Sequence, residues 1–429
     1  MNGQDRDRAA GDPTDGPGRD RAAADPTHGQ SRDRATGALA GIRVLDVSRV
    51  LGGPLAAQVL ADHGADVIKV EPPRGDETRA MGPPFVGDAS AVFVNVNRNK
   101  RGMALDLSSA AGREVLLRLL ERADVLVENF KPGTMERWGL GRALLAGRFP
   151  RLVHATITGF GADGPLGGAP GYDVMVQAWA GLISVNGSPQ SGPMRLGVPL
   201  VDMGSGANLT IGVLLALLAR ERTGRGQHVD VTLYDSALAL THPHAANWFL
   251  SGRTPGLTGN DNPNISPYSL YRTRRGALYI AVGNDLQFRR LCDVIGTPGL
   301  ATDPRFALNG DRVTNTEALR PLIEAAIADH DGERLCMALL EAGVPAGLVQ
   351  TIPQALEHPH TRHREMRVEH GGFRWVGIPV KLSETPGSVR RPPPRFDEHV
   401  DEILAESGFG DDEIAALRRD GVIGRPRAG

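Results

Sequence analysis

The sequence predicts an α/β fold built on parallel strands, and three observations carry that prediction. Residues 41–71 run from an apolar Val/Ile-rich stretch through a helical stretch to a second apolar stretch, the order of a βαβ unit. The same alternation returns through residue 158. Near Leu250 the texture changes, and residues 251–267 are dense in Gly, Asn, Pro and Asp, which marks the approach to a second, smaller unit. With 429 residues, 41% hydrophobic and 23% charged, the chain is large enough for two domains or one discontinuous one. That composition excludes collagen-like, wholly disordered and small disulfide-stapled classes.

The elements follow in order. Residues 1–38 form a low-hydrophobicity segment in which RDRAAGDPT (6–14) recurs as RDRAAADPT (19–27), a period of 13. Asp-Pro punctuation and low hydrophobicity predict a disordered tail, and its acidic content and missing apolar run argue against a secretory or organellar leader. Residues 41–48 read as a buried strand, 55–63 as a helix closed by Gly64, and 65–70 as a second strand ending at Glu71. Residues 112–122 place Val115, Leu116, Leu119 and Leu120 on one helical face, ahead of strands at 124–127 and 152–158. A glycine turn at Gly204 and Gly206 is expected to lead into an apolar helix at 209–219, and 227–233 alternates like a strand. Beyond the connection at 251–267, a hairpin is expected at 268–271 and 276–282, then helices at 286–295 and 317–329, and a last helix at 411–419. The expected organisation is a tail (1–38), a large domain begun by 39–225, a small domain at 226–330, and a return to the large domain over 331–429.

Charge and cysteine usage limit the function classes. Forty-eight basic against 50 acidic residues give a net charge of −2, which offers no overall attraction to nucleic acid or an anionic membrane. Only four of the basic residues are lysine: Lys69, Lys100, Lys131 and Lys381. Cys292 and Cys336 form no CxxC pair, so a thiolate zinc site and a disulfide framework are not expected, and a reducing cytoplasm fits. The longest strongly apolar run, 211–219, is about half of the roughly 20 residues a membrane helix needs, so no span is expected.

In an open α/β sheet ligands bind beyond the carboxyl ends of the strands, so the loops after Ser48, Glu128 and Thr158 should line one crevice. A dinucleotide site at the first loop is disfavoured: Ser48 to Pro54 lacks GxGxxG, and Pro54 removes a backbone N–H, although Glu71 stands where a ribose-binding acid would. Asp173 follows a glycine-rich loop and opens a helical pattern. A carboxylate there is ionised at neutral pH and can act as a nucleophile without a base, although from the local sequence alone a plain helix cap is the favoured reading. The N–H groups of Gly159, Gly161 and Gly171 can face a developing oxyanion or simply shape turns. Asn97 to Arg101 (NRNKR) reads as a solvated turn or as phosphate contacts. The histidines at 358, 360 and 363, like His242 and His244, are interrupted by proline and do not read as a metal site.

The motifs GIRVLDVSRVLGGP, GADVIKVEPP, NRNKRGMALDL, VENFKPGTMERWGLG, TITGFGADGP, APGYDVMVQAWAG and TGRGQHVDVTLYDS resemble those of the class III CoA-transferases, the superfamily that also holds α-methylacyl-CoA racemase. The likeness runs from Leu39 to the end. It implies a Rossmann-like large domain built from both chain ends, a smaller mid-chain domain, and an interlocked homodimer. It also implies acyl-CoA and a small carboxylic acid as substrates, with no tightly bound cofactor and no metal. Asp173 falls on the family's catalytic aspartate, which passes through an acyl anhydride and an aspartyl-CoA thioester. Val50, Leu51, Arg74, Asn99, Arg101, Asn129, Phe130, Arg137 and Trp138 fall on the implied CoA surface, and Arg49, Gly159 and Phe160 on the acyl site. The superfamily's racemases carry His where this chain has Tyr172, so the likeness favours transfer over epimerisation; Asp202 matches their second aspartate and does not discriminate. The loop at 49–54, residues 75–87 and 94–100, and His244 to Asn247 look closest to the branch acting on dicarboxylic acids such as succinate and glutarate.

Overall fold

Six parallel strands form the central sheet in the computed structural model, which describes residues 37–424. They are β1 (Arg43–Asp46), β2 (Asp66–Glu71), β3 (Lys100–Ala104), β4 (Val125–Glu128), β5 (Val153–Thr158) and β6 (His228–Thr232). Their order across the sheet is β3-β2-β1-β4-β5-β6, with Val44 of β1 in register with Val67 on one side and Val125 on the other. The chain works outward from β1 in one direction and then in the other, so the strand order reverses between β1 and β4. Successive side chains alternate between faces: Val44 enters a core with Leu60, Val67, Val125 and Val153, while Leu45 enters a second with Ile68, Met103, Leu116 and Leu126.

Helix α1 (Gly52–Asp62) covers the first face, and α2 (Ala110–Leu120), with Val115, Leu116, Leu119 and Leu120 buried as its periodicity predicts, covers the second. Short helix α3 (Thr134–Arg137) follows β4, and α4 (Asp173–Trp179) follows the glycine-rich loop after β5. Next come α5 (Leu200–Thr223), α6 (Leu233–Ala239) and α7 (His244–Ser251). Near the C-terminus α8 (Val400–Glu406) and α9 (Asp411–Arg419) return to the second face, where Ile403, Leu404 and Ile414 join the core with Leu45.

Three expectations need correction. Gly204 and Gly206 are not a turn but lie inside α5, which spans 24 residues. A Cβ on Gly206 would sit 2.8 Å from the Gly52 carbonyl oxygen, so glycine is required because α5 crosses the start of α1 at backbone distance. At that length α5 is long and apolar enough to cross a bilayer, unlike the short run the sequence showed; its Leu209, Val213 and Ala216 face packs on the sheet. Asn97 to Arg101 is no solvated turn, since all five residues are buried. The third core also departs from the 226–330 boundaries: residues 228–232 pair with β5, while Leu335, Leu339 and strand Ala346–Leu348 pack with Tyr268–Arg272 and Ala277–Ala281. Cys292 and Cys336 are buried there as free thiols. The expected tail, 1–38, lies outside the described residues except for its last two.

Candidate functional site

A cavity of about 330 Å³ opens where the strand order reverses. It is lined by the loop after β1 (Arg49, Val50, Leu51, Gly52, Gly53), the loop after β4 (Asn129, Phe130, Lys131, Pro132), Ile157 to Gly159 at the end of β5, residues 168–172, Asp202 and Leu233. The three loops expected to share one crevice therefore do so.

Two devices fix the loop after β1. Asn129 ties it to the loop after β4, its Oδ1 accepting from Arg49 N (2.8 Å) and its Nδ2 donating to Arg49 O (2.7 Å). From below, Lys69 Nζ donates to the Ser48 carbonyl, and Lys100 Nζ to the Pro54 carbonyl at 2.8 Å, so a buried ammonium grips each end of the loop. The lysines are balanced by Asp76 and Asp46, both at 2.8 Å. Between those anchors Val50 holds φ +70°, a left-handed conformation that a β-branched residue adopts only when its surroundings enforce it. Arg49 projects beside Phe130, its guanidinium carbon 5.9 Å from the ring centroid, and its Nε is buried without a hydrogen-bond partner.

Asp173 is the first residue of α4, between the cavity-lining Tyr172 and a helix that buries Val176 and Gln177. Its Oδ2 accepts from the backbone N–H groups of Val201 (2.8 Å) and Asp202 (3.1 Å) in the first turn of α5, and its Oδ1 from Gln177 Nε2. It is thus not merely a cap of its own helix. Asp202 stands on the cavity wall, and burial, with the Asp173 charge adding to it, pushes its carboxyl up to about 7. The folded state therefore holds an extra proton there between about pH 4 and 7, and Asp202 contributes stability that is full below about 4 and lost as pH rises through 7. Asp202→Asn is expected to flatten the stability profile across that window and to raise stability at pH 8 by about 1–2 kcal/mol, measured by urea unfolding at several pH values.

The structure gathers some predicted residues and separates others. Arg49, Val50, Leu51, Asn129, Phe130 and Gly159 line the cavity. Trp138 supports Phe130 in an edge-to-face pair at 5.1 Å, and Phe160 packs between Trp179 and Tyr234. Arg74, in the loop after β2, and Arg137, the last residue of α3, are exposed. Arg101 and Asn99 are not brought to the cavity: Arg101 is held by Asp66, Glu402 and Glu406, and Asn99 by Asp62, Ser388 and the N–H groups of Arg390 and Arg391. Glu71 is occupied by Arg79, both its oxygens at 2.7 Å, rather than free for a ribose. A close backbone approach explains the glycines after β5, because a Cβ on Gly159 would lie 2.8 Å from the Gly171 Cα.

Sequence reasoning missed Lys131 on the cavity wall, the paired lysines beneath the loop, and Gln177. Only Gln177 left a local signal, the i,i+4 spacing from Asp173. Among the described residues, no group of three or more His, Cys, Asp or Glu is placed to hold a metal ion.

Residues 39–400 match the model of the family described as CoA-transferase family III. The chain is 40% identical over 365 residues to the acetyl-CoA:oxalate CoA-transferase of Acetobacter aceti, covering 84% of this chain and 94% of the relative. It is 40% identical over 380 residues to the succinate–glutarate CoA-transferase of Agrobacterium fabrum, covering 86% and 95%. Among solved structures, a CAIB/BAIF family protein from Brucella suis superposes with TM-score 0.78 at 38% identity, covering 87% of this chain and all of that one.

Proposed function

The chain belongs to CoA-transferase family III, and from that premise we propose that it moves CoA from an acyl-CoA donor to a free dicarboxylic acid through covalent intermediates on Asp173. The observation that carries this reading is an oriented carboxylate, Asp173, next to Tyr172 in sequence and hydrogen-bonded to the Asp202 N–H, both of which line the cavity at the strand-order reversal. Asp173 attacks the donor thioester and forms a mixed anhydride, and the released CoA thiolate attacks the aspartyl carbonyl to give an aspartyl-CoA thioester. The acceptor carboxylate displaces CoA from that thioester, and CoA then takes the new acyl group. Displacement of a thiolate by a carboxylate is uphill, and orientation in a fixed site can supply about 7–11 kcal/mol toward it. The CoA chain would lie over Phe130 and Trp138, with Lys131, Arg74 and Arg137 as exposed cations for its phosphates.

The dicarboxylate preference rests on the relatives' names and on Arg49, a cavity-lining residue whose Nε is buried without a hydrogen-bond partner. Arg49→Met is expected to raise the acceptor KM about 10–100-fold, the worth of a charge-assisted bond to the distal carboxylate, while the donor KM moves far less. Equal changes in both would remove Arg49 from acceptor recognition.

A homodimer belongs to the same proposal. Ile211, Leu215 and Leu218 of α5 and Phe249 and Leu250 of α7 are exposed apolar side chains that a second copy of the chain would cover. Sedimentation at twice the chain mass checks it. We place the protein in a reducing cytoplasm, where Cys292 and Cys336 stay free; fractionation of the native cell with marker enzymes checks that.

The transfer itself is tested by mixing the protein with succinyl-CoA and other dicarboxyl-CoA donors and adding hydroxylamine. A hydroxamate at Asp173 in the peptide mass map is the expected result. An unmodified Asp173 across the whole donor panel would count against transfer, and α-proton exchange without it would favour the racemase alternative.

A further inference from the structure

The two oxygens of Asp173 stand in different surroundings. Oδ2 is seated on two backbone N–H groups, Val201 at 2.8 Å and Asp202 at 3.1 Å, in the first turn of α5, whose 24 residues align their peptide dipoles toward that point. Oδ1 meets one side-chain donor, Nε2 of Gln177. Gln177 is fully buried, and its amide cannot turn over without loss, because Oε1 already accepts from Leu196 N at 2.9 Å. The donor end of the amide is therefore fixed toward Asp173.

We propose that this arrangement divides the labour of the carboxylate: Oδ1 makes and breaks the bonds to acyl groups, while Oδ2 remains the carbonyl oxygen and carries the oxyanion, in a hole formed by Val201 N and Asp202 N, whenever the aspartyl Cγ is attacked. Gln177 is the positioning residue that keeps the two apart. The proposal rests on the transfer reading above and assigns its atoms. In the first step Oδ1 bonds to the donor carbonyl carbon, the carbon–sulfur bond breaks, and thiolate departs. In the second step the thiolate sulfur bonds to Cγ, and negative charge gathers on Oδ2 between two preorganised N–H groups. Collapse breaks Cγ–Oδ1, and the electron pair leaves on Oδ1 as the carboxylate of the released acid, facing Gln177 Nε2. The acceptor half runs the same bonds in reverse, and no proton or redox partner is required.

The roles are unequal between steps, and this makes them separable. Attack on Cγ needs the hole, whereas attack by Oδ1 on the donor takes place at a carbon that the hole does not serve. A donor to Oδ1 binds the carboxylate more tightly than the anhydride oxygen, so Gln177 restrains the first step and assists the departure in the second.

Val201→Pro deletes one N–H of the hole in the first turn of a helix, where proline is tolerated. Gln177→Met deletes the Oδ1 donor while leaving a buried side chain of similar size. Each variant is mixed with succinyl-CoA alone; the thiol burst is followed with a disulfide reagent, and the aspartyl-CoA peptide is quantified by mass in quenched samples. Thioester formation is expected to slow on the order of 100–1000-fold in the proline variant. In the methionine variant it is expected to slow about 10–100-fold, with the thiol burst retained in both, so that anhydride accumulates. Equal slowing of burst and thioester formation, or unchanged thioester formation, overturns the division of roles. If the proline variant does not fold, the methionine variant decides alone by the same split. Wild-type protein that yields neither burst nor adduct overturns the transfer reading and this inference together, whereas a wild-type adduct with an equal loss in the variants overturns only the inference.

Discussion

Asparagine at position 173 is expected to lower turnover by at least about 10⁴-fold while leaving the fold in place, because the variant loses the atom that accepts the acyl group and no neighbour can substitute for it. The neighbouring carboxyl of Asp202 is pushed up to about 7, and Asp202 donates its own N–H to Asp173, so it is both less available as an anion and fixed by the first turn of α5. Asparagine also meets a mismatch. Three donors converge on the carboxylate, from Val201, Asp202 and Gln177, and an amide can turn an acceptor to only one side. Its NH₂ must oppose either the backbone pair or Gln177, which costs about 1–3 kcal/mol of stability. Alanine leaves all three donors without an acceptor and should be no more stable than asparagine and equally inactive. Thermal unfolding alongside a succinyl-CoA transfer assay checks both. Residual activity in both variants above about 1% would remove Asp173 from the covalent path.

Strand positions were legible because the central strands carry short apolar runs whose neighbours punctuate them, and the sheet holds β1, β2, β4 and β5 within a residue or two of expectation. The crevice was legible for the same reason, since the ends of parallel strands define it before any side chain is considered. Other features depended on partners far along the chain. Asn97 to Arg101 reads as a polar turn in isolation, but Arg98 meets Asp62, Lys100 meets Asp46 and Arg101 meets Asp66, each at least 35 positions earlier. No local pattern announces such pairs. Gly206 was misread because glycine weakens an isolated helix, while here it admits the backbone of a second helix. Asp173 stood out as a candidate from its loop, but a nucleophile and a helix cap look alike until the residues around the carboxylate are known. The structure shows it receiving donors from a different helix, an arrangement that a cap of α4 does not need.

Lys100→Met is expected to cost about 3–5 kcal/mol of stability, the largest effect on folding of any single change near the site. Only four lysines occur in the chain, and two of them, Lys69 and Lys100, are fully buried beneath one loop. Lys100 Nζ donates to Asp46 Oδ2, the Pro54 carbonyl and Asn97 Oδ1, all at 2.8 Å, so all three of its protons are used. Burial draws its ammonium down to about 8, with the Asp46 charge opposing that shift, so the group is still mostly cationic at neutral pH. Methionine fills the volume but leaves the Asp46 carboxylate without its ion-pair partner, and an unpaired buried charge is the expensive outcome. The double variant Lys100→Met with Asp46→Asn removes both charges while Asn can still accept from Ser48 N, and it should recover at least about half of the loss in urea unfolding. The loop makes a second reading possible. With the Pro54 carbonyl released, the strained backbone at Val50 loses one of its two anchors, and the donor KM should rise even in the double variant, where stability is largely restored. Recovery of stability together with an unchanged donor KM would show that the lysine supports the fold alone, whereas a KM defect that persists places the buried ammonium under the substrate-binding loop as its holder.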